Sequence, residues 1–218
     1  MADLTPLLAF RWSPRAFDPS AELTPGEAAS LLEAARWAPS AGNRQPWRFA
    51  LGHREDETWK RILVNLPERE QRWARRAAAL LLAAHVTATS DRAAADPATG
   101  AAADSATSDR AAADTEASAA PGPAPGAPVA PDPQTAYDLG QAVAHLTVQA
   151  TALGLHVRQI HDLDRAGLAA DLDLPGDIRP AVALAVGRLG DPLSLPADLV
   201  AAETGLRHRR PLDDLLLV

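Results

Sequence analysis

The sequence contains a distinctive stretch, APSAGNRQPW, at positions 38–47. Pro, Ser, Gly and Asn are the residues that turns require, and the alternation that starts at Trp47 is typical of a half-buried strand. Upstream, residues 24–27 read TPGE, a capping box with proline at the first helical position, and apolar residues follow at helical spacing. The sequence therefore predicts a helix that begins at Pro25 and ends before Pro39, then a turn, then a strand.

Further helices and strands follow along the chain. The predicted helices cover residues 56–65, 139–153 and 165–172, and the predicted strands cover residues 77–86, 156–160 and 181–187. The alanines of the first of these strands would suit a helix equally well. The apolar seam of residues 139–153 indicates either a core helix or a dimer-interface helix, with Gly154 as its C-terminal cap.

The order of these elements bears on the fold class. Helices and strands are interleaved without a strict βαβ rhythm, and no Gly-x-Gly-x-x-Gly motif occurs. We therefore predict an α+β sandwich and not a doubly wound dinucleotide-binding sheet.

Residues 88–135 differ sharply from the rest of the chain in composition. They consist mainly of Ala, Asp, Ser, Thr, Pro and Gly, with Val129 as the one large aliphatic residue, and a nonapeptide occurs twice, at 88–96 and 106–114. Such a segment buries too little apolar surface to offset its ordering entropy. We therefore predict a disordered insert at 88–135 within a single domain formed by residues 1–87 and 136–218.

Charge and composition exclude several classes of function. The 218 residues carry a formal net charge of -7, which argues against a nucleic-acid partner. There is no cysteine, and the six histidines lack metal-ligand spacing, so no metal site is expected. The N-terminus lacks a secretory pattern and the longest apolar run, 77–84, is too short to cross a bilayer. The sequence predicts a cytoplasmic protein without a membrane partner.

Arginines cluster at both ends of the chain. The motif RWSPR occupies positions 11–15, and RHRRPL occupies positions 207–212. In an extended segment Arg11, Ser13 and Arg15 project to the same side, and forked guanidinium groups match phosphate oxygens. A basic surface loop and a solvated tail would have similar compositions. Together with the polar turn at 38–47, the two motifs suit an organic phosphate that carries a polar ring.

These motifs, in this order, resemble those of the FMN-dependent nitroreductase family over most of the chain outside the insert. The resemblance implies a three-layer sandwich whose mostly antiparallel sheet is flanked by helices, and it favours a strand at 77–86. It also implies a homodimer with two flavin sites. Such an enzyme passes a hydride from NADH or NADPH, through FMN N5, to a small molecule: a nitro compound, a quinone or an activated alkene. The alternatives are a flavin-binding storage or scaffold protein of the same fold and a fold that has lost the cofactor.

The resemblance also implies roles for individual residues. Arg11 and Ser13 would lie along the phosphate and ribityl chain, and Arg15 would stabilise the reduced ring beside N1 and O2. Ser40 and Asn43 would reach the flavin from the opposite subunit. The implied cofactor-binding residues are Arg11, Trp12, Ser13, Arg15, Pro39, Ser40, Asn43, Gln71, Gln159, Ile160, His161, Arg207 and Arg209. Arg15 and His161 are the catalytic candidates among them.

Two positions depart from the family pattern. Glu70 and Gln71 stand where the family has an asparagine that binds the flavin pyrimidine edge; Gln71 can replace it, whereas Glu70 would repel reduced flavin. Asp162 replaces a glycine next to His161, whose backbone amide would donate to N5. At the C-terminus, residues 215–218 are predicted to form a short strand exchanged across the dimer.

Overall fold

The computed structural model describes residues 3–87 and 133–217, and within them a four-stranded antiparallel sheet forms the centre of the chain. The strands are β1 (Trp47–His53), β2 (Ala79–Val86), β3 (His156–Ile160) and β4 (Ile178–Gly187), in the order β1-β2-β4-β3. The α-helices are α1 (Pro6–Phe10), α2 (Pro25–Arg36), α3 (Glu57–Val64), α4 (Glu68–Ala74), α5 (Pro133–Ala152), α6 (Arg165–Asp171) and α7 (Ala197–Thr204). Three-residue and four-residue 3₁₀ turns lie at Ala41–Asn43, Pro192–Ser194 and Leu212–Leu215.

Helices cover both faces of the sheet. On one face, α2 and α5 pack their apolar side chains against residues such as Leu81 and Leu184. On the other face, α3, α4 and α6 contribute a second cluster that includes Trp73 and packs against Leu80 and Ala185. The structure therefore confirms the predicted combination of helices with an antiparallel sheet, arranged as three layers.

The surroundings of strand β2 explain why its sequence was compatible with both a helix and a strand. It pairs with β1 on one side and β4 on the other, and every one of its residues is buried. A strand covered on both faces needs no polar alternation, so its sequence is apolar apart from the buried His85. The predicted strand is confirmed, with its start at Ala79.

Local capping explains where two helices begin. The Thr24 hydroxyl accepts a hydrogen bond from the Glu27 amide at 3.2 Å, and the Glu27 carboxylate accepts one from the Thr24 amide at 2.9 Å, which confirms the capping box. At the start of α3, the Asp56 carboxylate accepts from the Trp59 amide at 2.7 Å. These contacts satisfy amides that have no partner within the first turn of a helix.

Helix α5 belongs to the core. Its seam residues Leu139, Val143 and Leu146 are buried against the sheet, and Gly154 ends the turn with a φ of 69°. The helix begins at Pro133 and therefore includes the last three residues of the predicted insert. One of them, Thr135, is fully buried. The disorder predicted for the insert otherwise falls on residues 88–132, which lie outside the described ranges.

The short helices α1, α4 and α7 were not predicted from the sequence. The predicted C-terminal strand is not formed within the chain: Leu215 ends a 3₁₀ turn that follows Pro211, and Leu216 and Leu217 are exposed. Proline fixes the backbone in the geometry that starts such a turn. Exchange of this segment with a partner stays a prediction. Among the described residues, no helix has both the length and the hydropathy that a bilayer crossing needs.

Candidate functional site

The N-terminal segment between α1 and α2 runs along the end of the sheet in an extended form. Pro14 and Ala16 are buried while Ser13 and Arg15 are half-buried, which is the alternation expected for this motif. The Arg11 guanidinium donates to the Ser13 hydroxyl at 3.2 Å. The segment thus presents Arg11, Ser13 and Arg15 on its outer side.

The two ends of the chain meet at this segment. The Arg207 guanidinium donates hydrogen bonds to the Ala9 carbonyl at 2.8 Å and to the Arg11 carbonyl. Burial and the nearby charges of Arg207 and Arg209 lower the pKa of Arg11. We call Arg11, Arg207 and Arg209 the arginine cluster.

No carboxylate in the described part of the chain neutralises the arginine cluster. Among residues 3–87 and 133–217, none of its three guanidinium groups forms an ion pair with a carboxylate. Like charges held together cost free energy unless an anion joins them. A phosphate dianion has the charge and the acceptor oxygens that such a cluster fits.

A polar cleft of about 370 Å³ lies beside α4 and is lined by Arg15. Glu70 faces it, and its carboxylate accepts a hydrogen bond from Trp73 Nε1 at 2.9 Å and pairs with Arg69 at 3.3 Å. The carboxylate that was expected to repel a reduced flavin is therefore held by donors. Gln71 instead donates to the Leu66 carbonyl at 2.7 Å, so its amide nitrogen is engaged in the turn before α4.

A residue that the sequence did not single out, Arg158, connects the cleft to the N-terminal segment. It lies on edge strand β3, donates to the Ser13 carbonyl at 2.6 Å, and stands over the Trp73 ring at 5.5 Å from its centroid. Its neighbour on the same face, His156, meets the Trp12 ring edge-on at 6.1 Å. A charged residue at an inward position of a short strand was the available signal.

The predicted residues at the end of β3 differ in exposure. Gln159 and His161 are exposed, whereas the Ile160 side chain is buried in the core and leaves only its backbone for a ligand. The Asp162 carboxylate pairs with Arg69 at 2.9 Å. Because Arg69 also lines the cleft, this ion pair brings the loop after β3 to the cleft's edge.

The turn at residues 38–47 is shaped by its own contacts. The Ser40 hydroxyl accepts from the Gln45 amide at 3.0 Å, and the buried Asp138 carboxylate on α5 accepts from the Ala41 amide at 3.2 Å. Gly42, Asn43 and Gln45 have φ values of 59°, 55° and 51°, a region that glycine and asparagine tolerate best. We call Pro39 to Gln45 the Ser40 loop.

The Ser40 loop and the arginine cluster are separate within one chain. Across the described ranges, no hydrogen bond or ion pair joins them, and Pro39 and Asn43 are exposed. In the same part of the chain, no group of three His, Asp or Glu side chains is arranged to hold a metal ion.

Comparison with known proteins identifies the family. The model of the nitroreductase family matches residues 8–188, most of the chain. The chain belongs to the nitroreductase family. Its fold is similar to that of an oxidoreductase containing FMN, with 28% identity, a TM-score of 0.75, and coverage of 99% of this chain and 91% of the other. A comparison with curated proteins gave no match.

Two more distant structures share the fold of this nitroreductase-family chain. One is a protein from Desulfovibrio desulfuricans, assigned as a nitroreductase and in complex with FMN, with 21% identity, a TM-score of 0.66 and coverage of 99% and 98%. The other is from Staphylococcus epidermidis and assigned as an NAD(P)H:FMN oxidoreductase, with 16% identity, a TM-score of 0.66 and coverage of 100% and 96%.

Proposed function

We propose that this protein is an FMN-dependent oxidoreductase. The observation that carries the proposal is the arginine cluster, in which guanidinium groups from both ends of the chain lie together and pair with no carboxylate of residues 3–87 and 133–217. The FMN-containing oxidoreductase with the same fold supports it.

The chain's residues divide the work of holding FMN. Arg11 and Arg209 offer donors to the phosphate, and Ser13 offers a hydroxyl to the ribityl chain. Arg207 donates two hydrogen bonds, to the carbonyls of Ala9 and Arg11, so it joins the two chain ends and adds positive charge to the cluster. Arg15 provides the cation in the cleft beside α4, where it stabilises negative charge on the ring.

FMN, when bound, supplies hydride transfer from NADH or NADPH to a small-molecule acceptor, which we propose to be a nitro compound, a quinone or an activated alkene. The protein needs no nucleophile for this chemistry. Its task is to bind the phosphate, to orient the ring against Arg15 and the loop at His161, and to keep Glu70 engaged with Trp73 and Arg69. The nicotinamide requirement is supported by the similar protein assigned as an NAD(P)H:FMN oxidoreductase.

We further propose that the protein is a homodimer in which the Ser40 loop completes the site of the partner. Large apolar side chains stand exposed on α1 and near the C-terminus, including Phe10 at 73% and Leu206 at 86%. Trp37 and Tyr137, on the helical layer that also supports the loop, are 72% and 65% exposed. Apolar patches of this kind mark interfaces between proteins.

The decisive experiment is an absorption spectrum of the purified protein, followed by anaerobic titration with NADH and with NADPH. We expect a flavin spectrum, or uptake of added FMN, and bleaching by at least one nucleotide. Bound FMN that no nucleotide reduces would instead indicate a storage or scaffold protein. Absence of any FMN uptake would contradict the proposal altogether.

A further inference from the structure

Residues 13–16, which carry the proposed contacts to FMN, are held by two charged side chains from distant elements. Glu203 on α7 is 6% exposed, and its carboxylate accepts hydrogen bonds from the Arg15 amide at 2.8 and 3.0 Å and from the Ala16 amide at 3.0 Å. Three charge-assisted contacts on two consecutive amides fix the backbone at Arg15.

The second of these side chains is Arg158. Its guanidinium donates to the Ser13 carbonyl at 2.6 Å. This contact lies two residues before Arg15, whose amide Glu203 binds. Burial and the nearby charge of Arg15 lower the pKa of Arg158, while the charges of Glu70 and Glu203 oppose that change. Arg158 therefore lies close to a cation of the proposed site and to two carboxylates.

Burying a charged side chain to hold a loop costs desolvation free energy. Glu203 is buried and Arg158 is half-buried, and a charge at such a position carries a desolvation cost, so packing alone gives little reason for charges here. Backbone carbonyls and amides of residues 13–16 need acceptors and donors, but neutral side chains can supply them. The charges of Glu203 and Arg158 have a function if they act on a bound group whose own charge changes.

We propose that Glu203 and Arg158 are positioning residues of the proposed flavin site: they hold Ser13 and Arg15 in place, and their opposite charges adjust how strongly the site favours reduced FMN. This inference rests on the proposed function. A rigid segment at Arg15 lowers the entropic cost of binding. Removing the anion leaves more positive charge beside the ring, whereas removing the cation leaves less.

The test compares Glu203→Gln and Arg158→Gln with matched controls. Asp56→Asn alters a carboxylate that likewise accepts two backbone amides, both at 2.7 Å, and Arg179→Gln alters a strand arginine that donates to the Gly176 carbonyl at 2.9 Å. FMN affinity is measured by fluorescence quenching of the apoprotein, and the midpoint potential by anaerobic dye equilibration. Circular dichroism of each apoprotein verifies folding.

We expect both test variants to bind FMN at least tenfold more weakly, and both controls to stay within about twofold of the wild type. The midpoint potential should become more positive in Glu203→Gln and more negative in Arg158→Gln. Arg158→Lys keeps the charge but loses the guanidinium fork, so it should weaken FMN binding and leave the potential near that of the wild type. Residues with a purely structural role would not shift the potential in opposite directions.

Failure of the inference can be told apart from failure of the proposed function. If the wild type takes up no FMN, the proposed function is wrong and the inference falls with it. If the wild type binds FMN but both variants match it in affinity, or both potentials move the same way, the inference alone is wrong. If Glu203→Gln does not fold, the two Arg158 variants provide the test. A more negative midpoint potential in Arg158→Gln but not in Arg158→Lys would support the inference, and equal potentials in the two variants would contradict it.

Discussion

The arginine cluster and the Ser40 loop are both rich in groups that suit FMN, yet they are built in opposite ways. Residues far apart in sequence assemble the cluster: Arg207 donates to the carbonyl of Arg11 across 196 positions. Neighbouring residues shape the loop, through the Ser40 hydroxyl and the Gln45 amide, and Asp138 on α5 supports it. The cluster gathers charge that nothing in the described chain neutralises, whereas backbone amides of the loop donate to Ser40 and to Asp138.

This difference indicates what each region would contribute to binding. A charge cluster supplies affinity for a phosphate, and that affinity depends on several side chains being held together. A preformed loop supplies shape at low entropic cost, because its backbone is already ordered. We therefore expect damage to the cluster to weaken FMN binding much more than damage to the loop does.

The largest effect should follow from emptying the cluster with Arg207→Ala and Arg209→Ala together. Arg209→Ala removes a charge-assisted hydrogen bond to the phosphate, which contributes about 1.5–3 kcal/mol, and Arg207→Ala removes the bonds that hold Arg11 in place together with one positive charge. The Kd for FMN should therefore rise by about 100-fold or more. The measurement is fluorescence quenching of FMN by the apoprotein. Riboflavin, which lacks the phosphate, should lose much less affinity.

Arg36→Ala is the control for that double variant. Arg36 is exposed and pairs with Glu33 at 2.6 Å on α2, so its removal subtracts a surface cation without touching the chain ends. Its FMN affinity should match the wild type. Equal losses for FMN and riboflavin would show that the cluster does not bind the phosphate.

The next prediction asks whether the two regions meet only between copies of the chain. A Ser40→Ala, Asn43→Ala variant keeps the arginine cluster, and the double arginine variant keeps the loop. In a mixed dimer one site receives both damaged halves and the other receives both intact halves. Refolding the two variants together in equal amounts should therefore restore strong FMN binding at about a quarter of the sites, as random pairing requires.

Each variant refolded alone is the control for this mixing experiment, and size-exclusion chromatography establishes that pairing occurs. Recovery well below the expected fraction in a mixture that does form dimers would place both halves of the site within a single chain. That outcome would remove the division of the site that the comparison suggests.

A pair of glycines tests the supports of the two regions. Gly190 donates its amide to the Ala16 carbonyl at 2.8 Å, and a Cβ there would lie 2.5 Å from the Phe17 carbonyl carbon. Gly190→Ala must therefore displace the N-terminal segment and should lower the free energy of unfolding by about 1–3 kcal/mol. Urea unfolding of the apoprotein measures it.

Gly140→Ala is the counterpart near the loop. Gly140 lies in α5, the helix that carries Asp138, and nothing stands within 4 Å of a Cβ at that position. The substitution should raise the free energy of unfolding by about 0.5–1 kcal/mol, since alanine is the better helix former. A loss of stability in Gly140→Ala similar to that in Gly190→Ala would contradict the difference in support.

The same contrast explains how much the sequence could predict. Local chemistry fixed the capping box at Thr24, the turn around Gly42 and the apolar strand β2, and each of these was predicted. Motif order indicated the family. Arg158 and Glu203 were missed because their roles come from tertiary contacts with residues 13–16.

The exposed fraction of each predicted residue also depended on tertiary structure. Ile160 follows the alternation of β3 into the core, and Gln71 turns back onto the Leu66 carbonyl, although both had been aligned with flavin contacts. A motif fixes which residue stands at a position. The packing around it decides whether the side chain is available.

The smallest effect concerns pH and should be confined to the N-terminal segment. Burial lowers the pKa of His156, whose ring meets Trp12 and whose buried Nδ1 has no hydrogen-bond partner among the residues that the structure describes. As pH falls through 6.5, the unfolded chain binds a proton that the folded His156 still excludes, so the free energy of unfolding should decrease. The His156→Gln variant should lose this part of the pH dependence in urea unfolding between pH 7.5 and pH 5.5.

His145→Gln, at an exposed position on α5, is the control for that variant. A slope that His156→Gln leaves unchanged would mean that His156 takes up its proton equally in both states. The proton would also act on one region selectively, because His156 contacts Trp12 next to the arginine cluster and no contact joins it to the Ser40 loop within the described ranges. Acid should therefore loosen the N-terminal segment, and with it the hold on FMN, before it affects the loop.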